Sequence, residues 1–214
     1  MFTFETFPYL EQRAQWPEQG KHILAQYTES HIVVYQAYNR EIGHFAAENG
    51  FFGNGFSLGR MTWIKPNFLW MMHRSGWATK ENQEVILAIW LSVDAFDAIL
   101  KKAVLSSFDP VVFADEAEWQ RAVDVSSVRL QWDPDYTPAG ERLERRAVQI
   151  GLRGKSVAHF AQGGWIEHIE DVTPFVHAQR EHAKPPYTNL VLPREQVYTV
   201  YDANTVRRIG LTTL

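Results

Sequence analysis

The chain has 214 residues, 45% hydrophobic and 21% charged, with 13 Gly, 10 Pro and no Cys; this is the composition of one ordinary folded domain and excludes disorder, collagen and coiled coil. A domain of this length buries roughly 70% of the surface its unfolded chain exposes, so it needs no disulfide or structural metal to fold, and without Cys it has no thiolate chemistry and no Cys-based zinc or iron–sulfur site. The formal charge of −4, from 21 Lys+Arg against 25 Asp+Glu, argues against holding polyanions by bulk charge.

No repeat, low-complexity tract or Gly/Ser linker divides the sequence, which predicts a single domain over residues 1–214. Met1-Phe-Thr-Phe-Glu5 has neither the basic flank nor the apolar run of a signal peptide, and no stretch approaches about 18 apolar residues, so the expectation is a cytoplasmic protein without a membrane partner. His31–Tyr38 reads as a buried strand, and Asn39 to Asn49 has helical spacing at Ile42, Phe45 and Ala46 with Gly50 as its stop. Phe51 to Gly59 is a Gly-punctuated loop or short strand. Pro66 at a first helical position predicts a helix to about Ser75, closed by Gly76. Val85–Leu91 follows as a strand, Ser92 caps a helix through Ala103, and Asp115 caps another to about Val123. Val128, Leu130 and Trp132 alternate as a half-buried strand, closed by a turn at Asp133-Pro134-Asp135. Ala147–Leu152 is a strand, Lys155–Ala161 a short helix, Trp165–Ile169 a strand, Thr173–His182 a helix and Val197–Tyr201 a final strand. The sum is an α+β fold, with flanking helices on a mixed, mostly antiparallel sheet of about six strands.

Charge is uneven along the chain. Arg60, Lys65, Arg74 and Lys80 occur with no carboxylate between Arg60 and Lys80, whereas Asp109 to Asp135 holds seven acids against Arg121 and Arg129. In Gly59-Arg-Met-Thr-Trp-Ile-Lys-Pro66 the cations flank a helix start, where unpaired N–H groups and the positive dipole end favour an anion, so Lys65 with Arg60 would complete a phosphate or carboxylate site. The plainer reading is solvated cations beside packed Trp residues, with Arg74 as a C-terminal cap. A second cluster, Arg142, Arg145, Arg146, Arg153 and Lys155, would either join the first in a phosphate cleft or form a solvated rim. Gln149 lies in a strand that reads apolar on both sides, so its amide needs hydrogen-bond partners. The His residues lack metal-ligand spacing, so no metal is expected. P-loop, Rossmann and nucleophile-elbow motifs are absent.

The stretches Val34-Tyr-Gln-Ala-Tyr38, Arg60-Met-Thr-Trp-Ile-Lys-Pro66 through Trp77, Gln131-Trp-Asp-Pro134 and Val148-Gln-Ile-Gly-Leu152 resemble the family catalogued as Domain of Unknown Function 4291, which carries no assigned activity. A weaker resemblance is to the ADP-ribosyltransferase fold, in the order of strand His31–Tyr38, segment Gly53-Asn-Gly-Phe-Ser-Leu58 and late strand Val197-Tyr-Thr-Val-Tyr-Asp202. By position that resemblance implies a catalytic set of Gln36, Ser57 and Val197, where the polymerase branch has His, Tyr and Glu; Glu195, two residues earlier on the same strand face, would supply the carboxylate. It further implies NAD or a related dinucleotide as substrate, with Arg60, Lys65 and Arg74 on the phosphates and Tyr35, Tyr38 or Trp63 stacked on a base or nicotinamide. Two other functions compete with this enzyme: an RNA or single-stranded nucleic-acid-handling protein whose Trp side chains stack on bases, and a sensor that binds a nucleotide without consuming it.

Overall fold

The computed structural model describes residues 2–212. The first half of the chain runs β1 (Thr6–Pro8), α1 (Tyr9–Arg13), β2 (Leu24–Ala25), β3 (His31–Tyr38), α2 (Arg40–Asn49), β4 (Thr62–Ile64), α3 (Phe68–Ser75), β5 (Val85–Ser92) and α4 (Val93–Lys102). The second half runs β6 (Ala103–Leu105), α5 (Glu116–Val125), β7 (Val128–Tyr136), β8 (Arg142–Leu152), α6 (Lys155–Ala161), β9 (Ile166–Asp171), α7 (Thr173–Arg180), β10 (Val191–Pro193), β11 (Gln196–Val197) and α8 (Ala203–Ile209). The fold is α+β, and none of these helices is long and apolar enough to cross a membrane.

Two sheets organise the molecule. One is antiparallel, in the order β3-β5-β9; the other has the order β4-β8-β7-β6, antiparallel except for the parallel pair β6 and β7. Two further pairs, β1 with β10 and β2 with β11, fasten the terminal segments to each other and to the body. Strand β3 alternates its side chains between two cores, as a strand covered on both faces must. Ile32 and Val34 join Leu87 and Ile89 and, from the four-stranded sheet, Leu130, Val148 and Ile150. Val33 and Tyr35 join Ile86, Ala88 and Trp90 against Phe68, Leu69, Met71 and Met72 of α3.

Most helix starts follow their caps. Asn39 accepts from Ile42 N at 3.0 Å, Ser92 from Ala95 N at 3.1 Å and Asp115 from Glu118 N at 2.7 Å. Helix α2 ends at Gly50 with φ 75°, where a residue without Cβ enters the left-handed region freely.

In place of one sheet of about six strands the described residues form these separate sheets, because the strands are split by the seam between β3 and β4, and three further expected features differ. Helix α3 begins at Phe68, two residues beyond Pro66, because Asn67 is the cap and accepts from Trp70 N at 2.7 Å. The expected turn at Asp133-Pro134-Asp135 is strand: β7 continues to Tyr136, with Pro134 beside a register irregularity that tolerates a residue lacking N–H. The reversal comes later, closed by Thr137 N to Glu141 O at 2.8 Å and Gly140 N to Thr137 O at 2.9 Å. Finally, the late strand Val197–Tyr201 shrinks to Gln196–Val197, and Tyr201 is 90% exposed.

Sheets β3-β5-β9 and β4-β8-β7-β6 meet at one backbone bridge, in which Tyr35 N donates to Lys65 O at 2.7 Å and Lys65 N to Tyr35 O at 3.2 Å. Beyond it a continued ladder would pair Tyr38 with Thr62. Side chains take over there instead: Gln36 Nε2 donates to Trp63 O at 3.1 Å and to Thr62 Oγ1 at 2.7 Å, and Tyr38 Oη lies 3.0 Å from the same hydroxyl. A cleft opens along this seam.

Candidate functional site

The cleft has a volume of about 740 Å³ and draws on both sheets, α3 and two loops. Strand β3 supplies Gln36 and Tyr38, β4 supplies Thr62 and Trp63, and Lys65 follows directly from β4. Helix α3 adds Met71 and Arg74, one turn apart and so on one face. Ser57 and Arg60 come from the loop before β4, and Gln131 and Gln149 from β7 and β8. Eight of the expected site residues therefore converge: Gln36, Tyr38, Ser57, Arg60, Trp63, Lys65, Arg74 and Gln149.

Tyr35 and Glu195 lie elsewhere. Tyr35 is one residue from Gln36 on a strand, so its side chain points to the opposite face, where it is fully buried against Phe68. Glu195 is 4% exposed and occupies the N-terminus of α3, where Oε1 accepts from Phe68 N at 2.6 Å and Oε2 from Asn67 Nδ2 at 3.2 Å. The helix start expected to bind an external anion is thus filled by the chain's own carboxyl group. Burial pushes that carboxyl well above its ordinary range, against the opposing effect of the Phe68 bond.

The second cationic cluster does not join the cleft either. Arg145 is buried and bonded to Asp135 Oδ2 through Nε at 2.8 Å and Nη2 at 2.6 Å, with Nη1 donating to Pro17 O at 2.5 Å. Arg153 donates to the carbonyls of Val123, Asp124 and Ser126, and Arg129 to those of Val123 and Ser126. Both close the C-terminus of α5, where cations meet the negative dipole end. Lys80 does the same for α3, donating to Arg74 O at 2.8 Å and His73 O at 3.3 Å. That role leaves the Arg74 side chain to the cleft.

Lys65 is the unusual member. It is 6% exposed, and its Nζ makes a single hydrogen bond, to Trp63 O at 3.4 Å. Among the described residues no ion pair involves Arg60, Lys65 or Arg74. Burial, reinforced by Arg74 and opposed by Asp133, pushes the Lys65 ammonium down to about 8.

Polar groups on one face of the four-stranded sheet complete the wall. Gln131 stands opposite Gln149, and Asp133, two residues along β7, shares their face. Asp133 Oδ1 accepts from Gln131 Nε2 at 2.8 Å and Oδ2 from Gln149 Nε2 at 2.7 Å, so one carboxylate fixes both amides. Trp63 lies on the same face, opposite Gly151. A Cβ at Gly151 would come within 2.5 Å of Met61 Sδ and 3.1 Å of the Trp63 ring, so only glycine lets them sit this close to the sheet. The turn after α3 brings Asn82 and Gln83 to the rim through three successive left-handed residues, Gly76, Trp77 and Ala78, with φ 61°, 57° and 62°. For Trp77 and Ala78 that conformation is strained.

Sequence reasoning missed Gln131, Asp133, Thr62, Asn82 and Gln83. For the first two a signal existed: polar residues at i and i+2 in a strand share a face with whatever lies across from them. The proline between Asp133 and Asp135 obscured it by suggesting a turn.

The structure is thus an α+β domain with a cleft at a two-sheet seam, lined by cations, amides and aromatic rings. Residues 22–198 match a family described as a domain of unknown function, DUF4291, and the chain belongs to that family. No curated protein matches it.

Proposed function

We propose that the protein binds a phosphate-bearing nucleotide in this cleft, a dinucleotide such as NAD being the substrate, with transfer of ADP-ribose as the reaction. The observation that carries the reading is the buried, unpaired Lys65. Charges taken out of water are ordinarily paired, and an ammonium kept without a carboxylate is balanced when an anion enters. Arg74 and Arg60 at the mouth extend the positive field to a second phosphate, and the half-buried rings of Tyr38, Phe56 and Trp63 offer faces for a base. The volume falls in the range of small-molecule sites, which favours a discrete nucleotide over a tracked RNA backbone.

For the reaction, the reading draws on Gln36 and Ser57, which line the cleft. Glu195 does not line the cleft, so it would not meet charge on an oxocarbenium-like centre.

Calorimetric titration with NAD, ADP-ribose, pyrophosphate and a short single-stranded RNA tests the proposal. The phosphate ligands are expected to bind wild type. Lys65→Ala is expected to lose about 1.5–3 kcal/mol of that affinity, the value of a charge-assisted hydrogen bond. Unchanged affinity removes Lys65 from the site. Binding of RNA alone, falling steeply with salt, replaces the nucleotide by a nucleic acid, and NAD bound without release of nicotinamide makes the protein a sensor.

A further inference from the structure

We propose that the cleft selects its ligand through a conjugated NH2 group, the Gln36 carbonyl oxygen receiving the N–H while Lys65 holds the phosphate. The inference rests on the nucleotide reading above and names the part of the ligand that lies deepest.

Gln36 lines the cleft and is 2% exposed. The orientation of its amide is fixed: Nε2 faces Trp63 O, which can only accept, so the flipped amide would set two carbonyl oxygens against each other. Both donors of Gln36 are therefore spent, on Trp63 O and Thr62 Oγ1. The carbonyl Oε1 is buried and receives no hydrogen bond. Buried acceptors are normally satisfied, and this one belongs to a cleft-lining side chain whose remaining atoms are fully engaged.

Lys65 Nζ and Gln36 Nε2 reach the same oxygen, Trp63 O, at 3.4 and 3.1 Å, so the group read by Gln36 and the anion held by Lys65 belong to one ligand. An ammonium has three donors, and Trp63 O takes one. An orphan acceptor with no donor of its own chain matches a planar group that presents NH2, and the remaining Lys65 donors stay with the phosphate. In a dinucleotide that chemistry occurs twice, as the nicotinamide carboxamide and as the adenine amino group beside its ring nitrogens.

The test titrates wild-type protein with NAD, 3-acetylpyridine adenine dinucleotide and nicotinamide hypoxanthine dinucleotide. The first analogue replaces the carboxamide NH2 by methyl and the second replaces the adenine amino group by oxygen, each leaving the pyrophosphate untouched. The analogue lacking the group read by Gln36 is expected to bind at least about tenfold more weakly than NAD, because it leaves the buried acceptor unpaired. Which analogue suffers identifies the base. Equal affinity of all three overturns the inference and leaves the nucleotide reading standing. Failure of all three, together with ADP-ribose and pyrophosphate, overturns both. In Gln36→Leu the preference for NAD over the sensitive analogue is expected to fall to about onefold, since neither ligand then meets an acceptor; retained preference overturns the assignment to Gln36. The analogue series with wild type stands whether or not that variant folds.

Discussion

Arg145 and Lys65 are almost equally buried, at 5% and 6% exposed, and opposite in what surrounds them. Arg145 has two bonds to Asp135, a third to Pro17 O, and the Trp16 ring 5.4 Å from its guanidinium carbon. Lys65 has one long bond to a carbonyl and another cation, Arg74, as an electrostatic neighbour. Burial of a charge therefore does not mark a functional site. What separates the two is that Arg145 is satisfied within the fold, whereas Lys65 keeps bonding capacity that the proposed ligand would fill.

Breaking the satisfied pair has the largest expected effect. Asp135→Ala leaves Arg145 buried without its carboxylate, which costs about 3–5 kcal/mol. At roughly 2–4 °C per kcal/mol for a chain of this size, the unfolding midpoint falls by roughly 6–20 °C. A loss near zero would make the pair incidental and dissolve the contrast.

Lys65→Met is expected to move stability the other way, gaining about 1–3 kcal/mol at pH 7 while weakening phosphate binding by the same amount as Lys65→Ala. The sign follows from linkage. The folded-state value is pushed down to about 8 from an ordinary 10.5, so between these pH values the unfolded chain holds a proton that the folded chain lacks. Wild-type stability gains from Lys65 as pH rises through that window and loses the gain as pH falls through about 8. Urea melts at pH 7 and pH 10 for both proteins read it as a difference that shrinks with pH, whereas a constant difference would show that Lys65 is not perturbed.

The fold was legible where elements are long or capped. His31–Tyr38 and Asn39–Gly50 announce themselves by β-branched run, cap and glycine stop, and the structure has them at those bounds. The strands of two or three residues, such as β2 and β6, are too short to show a period, and β4 owes its strand to pairing with β8. The cleft was legible in part through residue type: Arg60, Lys65, Arg74, Tyr38, Trp63 and the strand amide Gln149 line it, whereas Tyr35 and the second cationic cluster do not. What the sequence could not separate were cations of identical chemistry, Arg145 and Arg153 against Arg60 and Arg74, because their difference lies in partners distant along the chain. Glu195 is the sharpest case, for its partner Phe68 stands 127 residues away.

Glu195→Gln tests the other buried group that bears on anion uptake. The amide keeps an oxygen for Phe68 N and leaves the buried Asn67 Nδ2 without its acceptor, a loss of about 1–3 kcal/mol. The acid profile changes more than the stability at any one pH. A carboxyl held above its ordinary 4.5 keeps its proton in the folded chain after the unfolded chain has released it, so wild type loses stability as pH climbs from about 4.5. Melts from pH 4 to pH 7 are expected to show this decline in wild type and its absence in Glu195→Gln. Nucleotide affinity is expected to be equal in the two proteins, because Glu195 does not line the cleft. Lost affinity or lost turnover in a folded Glu195→Gln would return this carboxyl to the chemistry; an altered acid profile with ligand binding intact makes it the internal cap of α3, which closes that helix start and leaves Lys65 as the site at which an external anion is taken up.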